Sequence, residues 1–196
     1  MKKLALTATI LTLGLAACGS PDTVDEVGGD PAAPGAELGM DAGDLDSPRR
    51  AVAELRTAEG ELVGNVAAST TLGDERILVS LEVEGLSPGQ RGVHIHTVGS
   101  CDAPTFQSAG DHWNPTGAQH GLDNPEGQHA GDMPNLEVAE DGRGTLEYRL
   151  EEGTFDGLLD EDGSAFVVHA GPDDQVTDPS GNSGDRIACG VFEAES

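Results

Sequence analysis

From Arg50 onward the chain is a succession of short alternating or β-branched runs cut by turn residues, and this pattern restricts the fold more than any other feature. The runs are 51–57, 61–70, 77–84, 92–97, 136–139, 144–150, 165–169 and 186–192. Ala-Glu-Gly at 58–60, Leu-Gly-Asp at 72–74, Ser-Pro-Gly at 87–89 and Glu-Asp-Gly at 140–142 separate several of them. Strand side chains alternate between two faces, so such runs half-bury themselves. Eight of them, with no long amphipathic helix between, predict an all-β antiparallel sandwich or barrel. Only 154–160, with Phe155, Leu158 and Leu159, suits a short helical turn. There are no internal repeats.

Two segments break the regularity. One spans roughly 98–135 and the other 170–185; both are rich in Gly, Pro, Asn, Asp or Ser and have no period. A loop as long as the first is functional or is held by something other than a core. The stretch Gly92–Asp132 carries His94, His96, His112, His120 and His129, five of the chain's six histidines, and ends in Asp132. His94 and His96 stand two apart on a β-branched run, so one strand face presents both. His169 closes a later apolar run. Imidazoles on rigid strands suit copper or zinc, and His112, His120, His129 and Asp132 offer three nitrogens and an oxygen, a complete tetrahedral zinc set. A polar surface loop and packed, satisfied strand histidines are the plainer readings, and the concentration of ligand types argues against them.

The chain begins with Lys2 and Lys3, an apolar stretch Leu4–Leu13 and then Leu15-Ala16-Ala17-Cys18. That apolar stretch is too short to span a bilayer and reads as a cleaved export signal. Its ending resembles the bacterial lipobox, which implies lipidation of Cys18 and an anchor on the periplasmic side of the cell envelope, at the outer membrane. Residues 19–48, mostly Gly, Pro, Ala and Asp, read as a flexible tether, and 49–196 as one domain. With Cys18 lipidated, Cys101 and Cys189 remain as an even pair in an oxidising compartment, and one disulfide is the simple outcome. The formal net charge is −26, and the only lysines are Lys2 and Lys3. Such acidity excludes nucleic acid and an anionic surface as partners and points to a salt-rich setting.

The motifs GVHIH (92–96), SAGDHWNP (108–115), QHAGDMPN (128–135), VVHAGPDD (167–174) and GNSGDRIACG (181–190) resemble those of the bacterial exported copper,zinc superoxide dismutases over essentially all of 49–196. The resemblance implies an eight-stranded Greek-key, immunoglobulin-like sandwich or barrel with two long functional loops. It implies copper bound by His94, His96, His112 and His169, and zinc bound by His112, His120, His129 and Asp132, with His112 bridging the two. It implies an orienting role for Asp173, a Cys101–Cys189 disulfide, and catalytic roles for Arg186 and His112. The implied reaction is dismutation of superoxide to dioxygen and hydrogen peroxide, His112 taking up and returning a proton. Trp113 stands where phenylalanine is usual, and 170–185 lacks the lysines that many relatives place there. A non-enzymatic copper- and zinc-buffering envelope lipoprotein is the alternative, and a copper-only relative would lack His120, His129 and Asp132. The sequence leaves open whether the domain forms a homodimer.

Overall fold

The computed structural model describes residues 47–195. The export signal at 1–18, Cys18 and nearly all of the 19–48 tether lie outside the described residues. Ten strands are formed there: β1 (Arg50–Arg56), β2 (Leu62–Thr71), β3 (Asp74–Val83), β4 (Gly89–Arg91), β5 (Val93–His96), β6 (Leu136–Val138), β7 (Gly144–Arg149), β8 (Ala165–His169), β9 (Arg186–Val191) and β10 (Glu193–Ala194). Each of the eight predicted runs overlaps a strand, with β3 beginning three residues earlier than predicted. The two additions, β4 and β10, are three and two residues long, too short to show an alternation in sequence. The predicted helical turn is α1 (Phe155–Leu158), whose N-cap Thr154 accepts the Gly157 N–H on its Oγ1 at 3.1 Å, satisfying one of the orphan donors of a helix start.

Antiparallel pairing runs in the order β5-β8-β9-β1-β2-β3-β7, with β10 added to β1, and β4 pairs separately with β6. β4 and β5 are one chain segment interrupted at Gly92, which changes partners there from β6 to β8. A Cβ on Gly92 would lie 2.7 Å from Ser183 Oγ, so the change of partner needs glycine. β6 then leads through a tight turn, with Ala139 N–H donating to Arg143 O at 2.8 Å, into β7 at the far end of the order. The sheet therefore curls back on itself into a half-barrel around a core that includes Leu55, Ile77, Leu81, Val93, Ile95, Leu136, Phe166 and Val168. Each fully buried side chain of that size contributes roughly 1.5–3 kcal/mol.

A second, smaller cluster sits outside this core. Phe106 and Ala109 from the first long loop pack on Ala165, Val167 and Cys189, and Cys101 is disulfide-bonded to Cys189. The loop is thus fastened to β8 and β9 by apolar contacts and by a covalent bond.

Candidate metal centre

β5 is buried along its whole length. Its alternation sends Val93 and Ile95 into the core and therefore His94 and His96 to the opposite face. One edge of β5 pairs with β8; the other edge is taken by the long loop. His112 stands opposite His96 and Asp132 opposite His94, with Trp113 N–H donating to Ile95 O at 2.8 Å and Ile95 N–H donating to Gly131 O at 3.0 Å. Gly131 can lie this close because it has no Cβ, which would come 2.3 Å from Ile95 O. The loop is therefore registered on the strand by its own backbone bonds as well as by any ion. His169 ends β8, where the ladder with β9 shifts register, and Arg186 is its partner across that ladder.

The tautomers follow from partners that can only accept. His94 Nε2–H donates to Asp173 Oδ2 at 2.5 Å, His96 Nδ1–H to Gly110 O at 2.9 Å, and His169 Nδ1–H to Gly184 O at 3.1 Å. Each then has its other nitrogen deprotonated, with a lone pair to offer. Those other nitrogens, His94 Nδ1, His96 Nε2 and His169 Nε2, together with His112 Nε2, are buried and have no hydrogen-bond partner. Buried polar atoms are ordinarily satisfied, and here four orphans belong to the residues that converge within 4.8 Å of one another. A four-nitrogen set of this kind suits copper.

The second set is organised by Asp132. Its Oδ1 lies 3.0 Å from both His112 Nδ1 and His120 Nδ1 and 3.3 Å from His129 Nδ1, while His129 Nδ1 is 3.5 Å from His112 Nδ1. Its Oδ2 accepts the backbone N–H groups of Gly121 and His129 at 2.9 and 3.0 Å. A tetrahedral zinc with bonds of about 2.0–2.1 Å has ligand–ligand edges of roughly 3.3 Å, and the four distances bracket that value. His94 also falls within 4.8 Å of His112, His120 and Asp132, but its Nε2 is committed to Asp173 and its Nδ1 turns to the first set. His129 is the better fourth ligand. Asp173 joins the sets, with Oδ1 3.1 Å from His120 Nε2 and Oδ2 on His94.

Burial, followed by repulsion from His112, pushes His94 down to about 3, and burial likewise takes His169 to about 4 despite its bond to Gly184. His96 and His112 are lowered for the same first reason. Neutral imidazoles are what a metal requires. His120 behaves oppositely: burial opposes its protonation, yet hydrogen bonds to Asp132 and then Asp173 raise it to about 9. Against its own burial, the bonds from His112, His120 and His129 hold Asp132 far below the usual carboxylate range.

An open cleft leads to the first set, lined by His96, His112, His169 and Arg186 with Asp111 and Asp185. Arg186 donates from Nη1 to Phe106 O and from Nη2 to Gly110 O, both at 2.7 Å. The structure brings together every proposed ligand, with Arg186 on the cleft beside them. Sequence reasoning missed three contributors: Gly110, whose carbonyl serves two functional side chains; Asn135, whose side chain accepts the Asp173 N–H on Oδ1 at 2.7 Å and donates from Nδ2 to Asp173 O at 2.8 Å; and Asp178. Asn135 lay inside the QHAGDMPN motif, which was the available signal.

Fold and site define an immunoglobulin-like β protein built around two adjoining sets of metal-ligating side chains. A family profile described as copper/zinc superoxide dismutase (SODC) matches residues 62–192. Superoxide dismutase [Cu-Zn] 2 of Aquifex aeolicus is 45% identical over 149 residues, covering 73% of this chain and 86% of that protein. Superoxide dismutase-like protein YojM of Bacillus subtilis is 43% identical over 145 residues, covering 71% and 74%. The crystal structure of a SOD-like protein from Bacillus subtilis matches with a TM-score of 0.66 and 42% identity, over 71% of this chain and 96% of that one. The chain belongs to the copper/zinc superoxide dismutase family.

Proposed function

We infer that the protein dismutates superoxide, and that His94, His96, His112 and His169 would hold copper while His112, His120, His129 and Asp132 would hold zinc. The observation that carries this reading is the set of four orphaned, buried imidazole nitrogens beside Arg186. Copper supplies a one-electron couple when bound, which a superoxide reaction needs and zinc lacks. Everything else falls to the chain. Arg186, with two N–H groups fixed on backbone carbonyls, presents a cation of set orientation to a small anion in the cleft. His112, held at Nδ1 by the Asp132 set, would take a proton from solvent at Nε2 when that nitrogen is not engaged with copper, and would give it to the reduced product. Asp173 keeps His94 and His120 in fixed rotation, the orienting task of residues behind a metal ligand.

The relative named as superoxide dismutase-like keeps a second reading alive, metal buffering without turnover. Storage has no use for a guanidinium aimed into the cleft, so Arg186 separates the two. The test is superoxide decay on metal-loaded protein beside Arg186→Ala and His112→Ala. Full metal content with no decay in the parent would sink the enzymatic reading. For location, the Leu15–Cys18 ending supports a lipid anchor at Cys18 on the envelope; loss of membrane association in Cys18→Ser tests it.

A further inference from the structure

The three imidazoles assigned to zinc differ in what meets their second nitrogens. His112 Nε2 turns to the copper set, and His120 Nε2 meets Asp173 at 3.1 Å. His129 Nε2 faces Asp178 Oδ1 at 3.8 Å. The same Asp178 oxygen accepts the backbone N–H of His120 at 2.8 Å. One carboxylate on the 170–185 loop thus bonds the main chain of one zinc-set histidine and lies 3.8 Å from the ring of another.

That carboxylate is also held in place. Asp174, four residues earlier, accepts the N–H groups of Val176 and Thr177 on Oδ1 at 3.0 and 2.8 Å, and Thr177 Oγ1 and Asn182 Nδ2 on Oδ2 at 2.7 and 2.9 Å. The loop lies directly on its neighbour, with Asp123 N–H donating to Gln175 O at 3.0 Å and Asn124 Nδ2 to Val176 O at 3.2 Å. A Cβ on Gly121 would come within 2.1 Å of Gln175 O. Asp178 therefore approaches the site from a turn in the middle of the loop, closed by Asp174, while the Asn135–Asp173 pair fastens the loop nearer its start.

We propose that Asp178 is a positioning residue of the zinc set, fixing the His120 backbone and setting the rotation of the His129 ring through its Nε2–H. The proposal rests on the zinc assignment made above. When His129 Nδ1 is committed to a cation, its proton must sit on Nε2 and becomes more positive. A carboxylate at 3.8 Å is too long for a direct hydrogen bond, and a small ring rotation or one bridging water closes the distance. The side chain is 44% exposed, so its effect is one of orientation and partial charge compensation.

Zinc affinity, measured by chelator competition on the full chain, tests this with Asp178→Ala, Asp178→Asn and His129→Ala. Loss of such an orienting partner weakens metal binding by about 10- to 100-fold, and at least tenfold is expected for both Asp178 variants, with the affinity of the copper set unchanged. Asp178→Asn keeps an oxygen for the His120 N–H, so its metal-free unfolding midpoint should match the parent. Zinc binding of Asp178→Asn equal to the parent's would reduce Asp178 to a backbone cap and overturn the proposal. So would an equal loss of metal-free stability in both variants. Zinc binding by His129→Ala as tight as the parent's would overturn the zinc assignment itself, and the proposal with it.

Discussion

Arg186 and His96 meet at one oxygen: the Gly110 carbonyl accepts Arg186 Nη2–H at 2.7 Å and His96 Nδ1–H at 2.9 Å. The cation that would position the substrate and a ligand of the proposed copper set are thus aligned by the same atom. Gly110 is at φ 75 and ψ −155, a region open only to glycine, and a Cβ there would press on Thr97 at 3.1 Å. Arg186→Ala should retain metal and lose turnover by roughly 10- to 100-fold, the weight of a hydrogen bond to a charged group. Gly110→Ala should lower both copper affinity and turnover, because it tilts the shared carbonyl. Turnover by Gly110→Ala equal to the parent's would separate the two residues.

Salt should accelerate the reaction. The cleft is bordered by Asp111 and Asp185 as well as by Arg186, and the chain as a whole is at −26 with no lysine beyond Lys3. A superoxide anion approaching through that field is repelled until ions screen it. Raising ionic strength from 0.01 to 0.15 M shortens the screening length from about 30 to about 8 Å. The second-order rate should rise about twofold or more over that interval, measured by pulsed superoxide decay. A steep fall would show that Arg186 governs the long-range field.

The Cys101–Cys189 disulfide spans a separation of 88 residues and anchors the loop that carries the Phe106 and Gly110 carbonyls. Closing a loop of that length stabilises by about 4 to 5 kcal/mol in the chain-entropy account. The Cys101→Ser, Cys189→Ser double variant should unfold at lower denaturant. It should also lose turnover under conditions where it is still folded, since both acceptors of Arg186 then move with the loop. Full activity in the folded double variant would place the disulfide's role in stability alone.

Much of this was legible in the sequence, and the reason differs by residue. His94 and His96 were readable because a strand period of two is absolute, and the alternation that buries Val93 and Ile95 exposes them to the loops. The eight longer runs were readable for the same reason, whereas β4 and β10 are held by pairing with β6 and β1 rather than by a pattern of their own. The residues themselves offered the strand histidines His94, His96 and His169 and a zinc-sized set in the loop, whereas the division into copper and zinc sets through His112, and the role of Arg186, came through motif resemblance. The pairing of the loop on the free edge of β5 was not legible, since it uses backbone groups at Trp113 and Gly131 that every residue carries. Asp178 was hidden for a similar reason, being one acid among several in a loop without a period.

Acid should unfold the metal-free protein earlier than its surface charge would suggest. His94 and His169 are at about 3 and about 4 when folded, against about 6.5 when unfolded. Between those values the unfolded chain binds more protons, so stability falls as pH is lowered from 6.5. His120, raised to about 9, works in the other direction: its contribution is full below 6.5 and is lost as pH rises through 9. Urea midpoints of metal-free protein should therefore peak near pH 6.5 and decline on both sides. Metal loading should flatten the acid side until the ligands protonate and the ions leave. A midpoint for metal-free protein that is flat from pH 5 to 6.5 would contradict the buried, neutral state of these rings.

Gly181 and Gly184 offer a sharper separation, because both have positive φ, +59 and +80, yet only one has a neighbour. A Cβ at Gly181 would come 1.8 Å from Asp173 Oδ1 and 2.7 Å from His120 Nε2, whereas one at Gly184 meets nothing within 4 Å. Gly184→Ala should cost the left-handed backbone penalty, about 1–2 kcal/mol of stability, and, because the Gly184 carbonyl orients only His169, any loss of metal should be confined to the copper set. Gly181→Ala adds the displacement of Asp173, which holds His94 on one oxygen and His120 on the other, so copper and zinc affinity should fall together by roughly tenfold or more. Loss of one metal without the other would mean that Asp173 orients a single ring. Equal behaviour of the two alanine variants would mean that the carboxylate can move aside without consequence.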